Sequence, residues 1–157
     1  MTVYLVKEAD SGRAERWLGP PTLRPLSREG WRQAAALVEC FEARPISRIV
    51  AGPNLRCRET VSPLAESRGL NVESGAALAE GADPSLAFEL VRTAIAGRPI
   101  VLCAHAGLIN ALVQLLVAEG WVNEDGGDVI DGIVWAVGEA DVDRGAAFDL
   151  TLAGPHG

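Results

Sequence analysis

Cysteine, histidine and methionine are scarce in this chain. It also has no surplus of positive charge and no uninterrupted apolar run long enough to span a membrane. The three cysteines, Cys40, Cys57 and Cys103, are odd in number and widely spaced. That spacing argues against a disulfide framework and fits reduced thiols in a cytoplasmic protein. None has an arginine six positions on, as the phosphate loop of a cysteine phosphatase needs, so they read as small buried apolar groups. His, Cys and Asp never gather at ligand spacing, so no metal site is expected, and nothing calls for a cofactor. The acidic residues from Glu124 to Asp131 lack the full EF-hand pattern and read as a solvated loop.

Fourteen basic residues against 21 acidic ones leave a formal net charge of -7. Such a balance argues against a nucleic-acid surface or an anionic-membrane patch, yet it leaves room for a small basic pocket that takes a phosphate. The apolar run Val3 to Val6 is too short for a secretory signal. The longest apolar stretch, Ile100 to Ala118, is interrupted by His105, Asn110 and Gln114 and turns at Ala106-Gly107. It reads as a buried strand feeding a buried helix rather than a membrane span. Internal repeats and low-complexity segments are both missing.

What is present is an ordinary globular composition, 48% hydrophobic and 22% charged over 157 residues. One domain over residues 1–152 is expected, with a frayed tail over 153–157. Short β-rich runs alternate with longer helical ones. Strands are expected at Thr2 to Val6, Ile46 to Ala51, weakly at Asn71 to Glu73, and at Ile100 to Ala104, with "GIVWAV" and "AAFDLTL" as a closing pair. Ser27 is placed to cap a helix running to about Glu42, with Trp31, Ala34, Leu37, Val38 and Phe41 on one face and Pro45 as its stop. Asn54 is placed to cap a second helix ending near Gly69, with Pro63 expected to kink or break it. Further helices are expected over Ser85 to Ala96 and Leu108 to Glu119, the last apolar nearly all round and therefore central. This order predicts an α/β fold, a three-layer sandwich with a mostly parallel central sheet flanked by helices.

In such sheets ligands bind beyond the carboxyl ends of the strands. Lys7-Glu8, Arg56 and His105 all follow expected strands, and Glu80 lies in a loop able to reach the same edge. In "IVAGPNLRCRET", Arg56 falls in the first turn of a helix, where free N–H groups and a guanidinium suit a phosphate. Read alone, the motif favours an exposed arginine paired with a neighbour such as Glu59 or Thr60. His105 in "IVLCAHAG" admits both a structural and a catalytic reading.

Taken together, "VYLVKEADSGRAERWLGPPTLRPLSREGWRQA", "AGPNLRCRETVSPLAESRGL", "LAEG" and "VLCAHAG" resemble the histidine phosphatase (phosphoglycerate-mutase-like) superfamily over Thr2 to about Val137. The likeness is to its short bacterial branch, which includes phosphohistidine phosphatases and similar domains fused to Nudix hydrolases. In that family the first strand ends in Arg-His-Gly or Arg-His-Ala, and the histidine is the nucleophile. The resemblance implies that Arg56 is the second phosphate-binding arginine, His105 the second histidine and Glu80 the acidic proton donor. It also implies that Arg13 and Arg16 lie in a substrate-contacting loop.

The departures are at the opening motif, with Lys7 in place of Arg and Glu8 in place of the nucleophilic His. Ala106 also replaces a glycine that commonly follows the second histidine. The expected protein therefore has the phosphatase fold but is inactive or strongly impaired, a pseudoenzyme that binds a phosphate-containing small molecule or a phosphoprotein. The alternative is an active phosphohydrolase, acting on phosphohistidine or a small phosphoester through Glu8, Arg56 and His105.

Overall fold

The computed structural model describes residues 2–94, 97–121, 133–138 and 146–149. The expected tail and the acidic stretch from Glu124 to Asp131 lie outside them. Along the chain run β1 (Thr2–Lys7), α1 (Arg28–Cys40), β2 (Arg48–Ala51), α2 (Leu55–Arg68), β3 (Val72–Ser74), α3 (Pro84–Ala94), β4 (Ile100–Ala104), α4 (Ala106–Ala118), β5 (Ile133–Gly138) and β6 (Ala146–Asp149). The sheet order is β3-β2-β4-β1-β5-β6. The first four strands are mutually parallel, and β5 and β6 continue antiparallel.

The two middle parallel strands are buried on both faces, which is why β1 and β4 read as continuous apolar runs rather than alternations. Their side chains divide by parity. Val3, Leu5, Ile100 and Leu102 pack with Ala87 and Val91 of α3 and with Leu108, Ile109 and Leu112 of α4. Tyr4, Val6, Val101 and Cys103 pack on the other side with Leu37 of α1 and with Cys57, Val61 and Leu64 of α2. Two helices per face make the three-layer α/β sandwich that the sequence predicts. Phe41, fully buried, meets Tyr4 edge-on at 4.8 Å between ring centroids.

Local chemistry sets the boundaries. Ser27 accepts the Gly30 amide at 3.0 Å and so caps α1 as expected. The helix stops at Cys40 in a turn well before Pro45, so the proline follows the end rather than causing it. Trp31 departs from the expected core face: it is exposed, and the buried stripe is Gly30, Ala34, Ala36 and Leu37. Gly69 closes α2 at φ 65°, as only a residue without Cβ does cheaply. α2 runs through Pro63 without a break. α4 begins two residues before the expected Leu108, because His105 itself caps it. Nor is α4 buried all round; Asn110 and Gln114 are exposed, and its core face is Leu108, Ile109, Leu112, Val113 and Leu116.

The register brings three strand ends level. Lys7 pairs with Ala104, while Ala51 pairs with Cys103. One residue further, the Glu8 amide donates to the Ala104 carbonyl at 3.0 Å and the Gly52 amide to the Cys103 carbonyl at 2.9 Å. The carboxyl edge of β2-β4-β1 is therefore where Glu8, the start of α2 and His105 converge.

Candidate functional site

Glu8 leaves β1 on the side of Tyr4 and Val6, toward α2. Its Oε2 lies 3.0 Å from Arg56 Nε, and both side chains are nearly sequestered, at 12% and 5% exposure. The Nε–H does not point along this line, so the guanidinium nitrogen is buried against a carboxylate without a directed hydrogen bond. The rest of the Arg56 fork is satisfied. Nη1 donates to the Pro21 carbonyl at 3.0 Å and Nη2 to Glu80 Oε2 at 2.9 Å. Thus Arg56 is not the exposed arginine paired with Glu59 or Thr60 that its motif alone also allows. Glu59 instead accepts the Leu26 amide at 3.0 Å, and Thr60 links the Arg56 carbonyl (2.6 Å) to the Ala9 amide (2.9 Å).

Glu80 reaches this edge because two loops press together. A Cβ on Gly52 would lie 2.5 Å from the Leu78 carbonyl oxygen, so only glycine permits the approach. Glu80 then spans Arg56, the Asn54 amide group (Nδ2 to Oε2, 3.2 Å) and His105, whose Nε2 is 3.7 Å from Oε1. Asn54 occupies the cap position of α2, yet its side chain serves Glu80 and makes no cap bond, a departure from the sequence expectation. At the start of α4, His105 Nδ1 accepts the Leu108 amide at 3.3 Å. In a neutral ring that contact leaves the proton on Nε2, facing Glu80. The imidazole lies over Gly107, where a Cβ would come within 2.6 Å of its Cε1.

Two further groups complete the surroundings of Glu8. The Cys57 thiol donates to Glu8 Oε2 at 3.3 Å. The neighbouring Cys103 thiol, burial and the Glu8 carboxylate all push the Cys57 thiol up, which keeps it protonated and unreactive. Lys7, the only lysine of the chain, has the parity of Val3 and Leu5 and so leaves the strand on the α3–α4 side. Burial lowers its ammonium pKa, opposed by the Glu8 and Asp10 charges.

The structure therefore brings Glu8, Arg56, Glu80 and His105 into one chain of contacts, with Lys7 adjoining Glu8. Arg13 and Arg16 line a surface pocket with Trp17 and Arg24 in the loop between β1 and α1, the same loop whose Pro21 carbonyl accepts from Arg56. Sequence reasoning did not single out Asn54 as a partner of Glu80, Cys57 as a donor to Glu8, the Pro21 carbonyl or Arg24. Of these, only Arg24 had a visible signal, its place in the same Gly, Pro and Arg-rich loop. Among the described residues no group of three or more His, Cys, Asp or Glu is placed to hold a metal ion, and no described helix is long and apolar enough to cross a membrane.

An 8-oxo-(d)GTP phosphatase of Mycolicibacterium smegmatis is 32% identical over 118 residues, which is 72% of this chain and 36% of that protein. The chain thus spans about a third of that relative's length. Among solved structures, a SixA protein of Agrobacterium tumefaciens superposes with TM-score 0.74 at 17% identity, covering 94% of this chain and 96% of the other. The protein histidine phosphatase SixA complexed with tungstate gives 0.73 at 16% identity, covering 97% and 99%. At such identities these two speak for the fold. The sequence profile of the histidine phosphatase superfamily (branch 1) matches residues 8–82, which carry β1's exit, the Arg56 helix and the Glu80 loop. With the fold, the motif order and the sequence match in agreement, the chain belongs to the histidine phosphatase superfamily.

Proposed function

We propose that this domain is a binding module built on the phosphatase fold, with Glu8 standing where the family keeps its nucleophilic histidine and Lys7 where it keeps an arginine. The observation that carries this reading is the 3.0 Å contact between Glu8 and the sequestered Arg56. In this reading the guanidinium that the family turns toward a substrate phosphate is already engaged by two carboxylates, Glu8 and Glu80. A carboxylate cannot become phosphohistidine, and it sets a negative charge where a phosphoryl group would enter. Two unit charges about 4 Å apart interact by about 4 kcal/mol at an effective dielectric of about 20, which weakens an incoming phosphate by two orders of magnitude or more. Lys7 offers a point charge in place of a planar fork, so it does not restore a bidentate grip. The SixA complex with tungstate is consistent with this account, since there the fold accommodates a tetrahedral oxyanion. The partner expected for this module is a phosphate-bearing molecule of the cytoplasm.

The test pairs turnover with binding. Native protein should hydrolyse neither p-nitrophenyl phosphate nor a phosphohistidine substrate, and vanadate should bind weakly in titration calorimetry. Glu8→His should tighten vanadate binding, and Lys7→Arg with Glu8→His should gain turnover. Native turnover that His105→Ala or Glu8→Gln abolishes would establish the active phosphohydrolase instead.

A further inference from the structure

Glu80 stands on the corner of a turn. The Ala82 amide donates to the Ala79 carbonyl at 3.0 Å, and Gly81 follows Glu80 at φ 81°, the left-handed region that glycine supplies at the third place of such a turn. With Gly52 also pressed against the Leu78 carbonyl, the backbone here is set. The Glu80 side chain, by contrast, is half exposed, so polar contacts decide where it lies. Three donors converge on its carboxylate. Arg56 Nη2 (2.9 Å) and Asn54 Nδ2 (3.2 Å) share Oε2, while His105 Nε2 faces Oε1 at 3.7 Å. An oxyanion arriving from solvent meets the same three groups and finds a carboxylate among them. Of the groups that engage the Arg56 fork, Glu80 is the one placed to leave, by side-chain rotation alone. Pro21 offers a backbone carbonyl, and Glu8 is nearly sequestered.

Asn54 decides how firmly Glu80 stays. It is buried at the cap position of α2, where an asparagine ordinarily accepts a first-turn amide. Here the first turn is held by the Asn54 backbone carbonyl, which accepts the Cys57 amide at 3.1 Å and the Arg58 amide at 3.3 Å. The side chain makes no cap bond and donates to Glu80 instead. A hydrogen bond to an ionised acceptor is roughly twice as strong as a neutral one, which favours this choice.

We propose that Asn54 is the positioning residue of this site. It latches Glu80 onto Arg56, so that the domain keeps its own carboxylate in the seat of an incoming oxyanion and yields that seat only to an anion that outcompetes the latch. The proposal deepens the reading of the domain as a binding module and rests on it. The probe is vanadate, titrated by calorimetry against native protein, Asn54→Ser, Glu80→Ala and the double variant, with thermal melting and p-nitrophenyl phosphate turnover followed in parallel. Serine caps a helix as well as asparagine but is too short to reach Glu80, so Asn54→Ser should keep the native melting temperature. It should nevertheless tighten vanadate binding by about three- to tenfold, the worth of one hydrogen bond withdrawn from the competing carboxylate. Glu80→Ala should tighten it at least as much, and adding Asn54→Ser to Glu80→Ala should change nothing further, because the latch then has nothing to hold. Without any ligand, the Glu80 side-chain carboxyl signal in a carbon NMR spectrum should move in Asn54→Ser toward that of a solvated glutamate. Vanadate affinity unchanged or lowered in Asn54→Ser, an equal effect of that substitution with Glu80 present and absent, or an unmoved Glu80 signal overturns the latch. A failed cycle without native turnover removes the latch and leaves the binding-module reading standing. A cycle that behaves as expected together with native turnover upholds the latch and overturns that reading alone.

Discussion

The Glu8 carboxylate and the Arg56 guanidinium face each other at 3.0 Å across the join between β1 and α2, one provided by the end of a strand and the other by the first turn of a helix. Removing one member strands the other in a poorly solvated place, whereas removing both leaves only space to fill. Arg56→Met should therefore cost about 3 kcal/mol in urea unfolding. Adding Glu8→Leu to it should recover more than half of that loss. A double variant as unstable as the sum of its singles would show that the two side chains do not interact.

The approach of Gly52 to the Leu78 carbonyl gives a second prediction. Alanine there must push the loops apart, because the obstructing atom belongs to the backbone. Gly52→Ala should lower stability by about 2 kcal/mol, in the range of overpacking. It should also loosen Glu80 from Arg56, visible as broadening of the Glu80 side-chain carboxyl signal in an NMR spectrum. Unchanged stability together with an unchanged Glu80 signal would contradict the close approach.

Gly107 sets two effects of similar size against each other. Alanine in the first turn of α4 gains about 1 kcal/mol of helix propensity, but its Cβ displaces the His105 ring that holds the Leu108 amide. Loss of such a cap costs about 1 kcal/mol. Gly107→Ala should leave the melting temperature nearly unchanged while Leu108 amide exchange accelerates by about tenfold. A clear rise in melting temperature would mean the cap had survived.

Cys57 makes stability depend on alkaline pH. Its folded pKa lies above the ordinary thiol value of 9.0, so above that pH the unfolded chain releases a proton that the folded chain keeps. Its contribution is fully present below pH 9.0 and declines as pH rises, by at most about 1.4 kcal/mol per unit for one group. The raised Tyr4 hydroxyl acts in the same sense and the lowered Lys7 ammonium in the opposite one, so the informative quantity is the native profile minus that of Cys57→Ala. That difference should shrink steadily between pH 9 and 10.5. A flat difference would place Cys57 in contact with solvent.

The parts of the fold that depend on local pattern were legible in advance. β1 and β4 announced themselves as apolar runs, Ser27 and Gly69 as helix ends, and their alternation as a parallel sheet. Interactions across long sequence separation were not legible. Nothing near Asn54 reveals that its amide serves Glu80, 26 residues on, in place of its own helix. Cys57 lies 49 residues from the carboxylate it meets, and a thiol carries no sign of its partner. The exposure of Trp31 is a matter of which stripe α1 turns to the sheet, where small Ala34 and Ala36 allow close packing that an indole would prevent. Arg13 and Arg16 follow the opening motif closely in sequence, but no local pattern announces that their loop also sends the Pro21 carbonyl back to Arg56, 35 residues on.

The amide of residue 8 is stitched to the Ala104 carbonyl, so its side chain emerges from a position that β4 holds fast. Whatever replaces Glu8 therefore inherits the same address and the same neighbours. A change of tenant at that one position can alter what the cavity accepts while the surrounding architecture stays as it is.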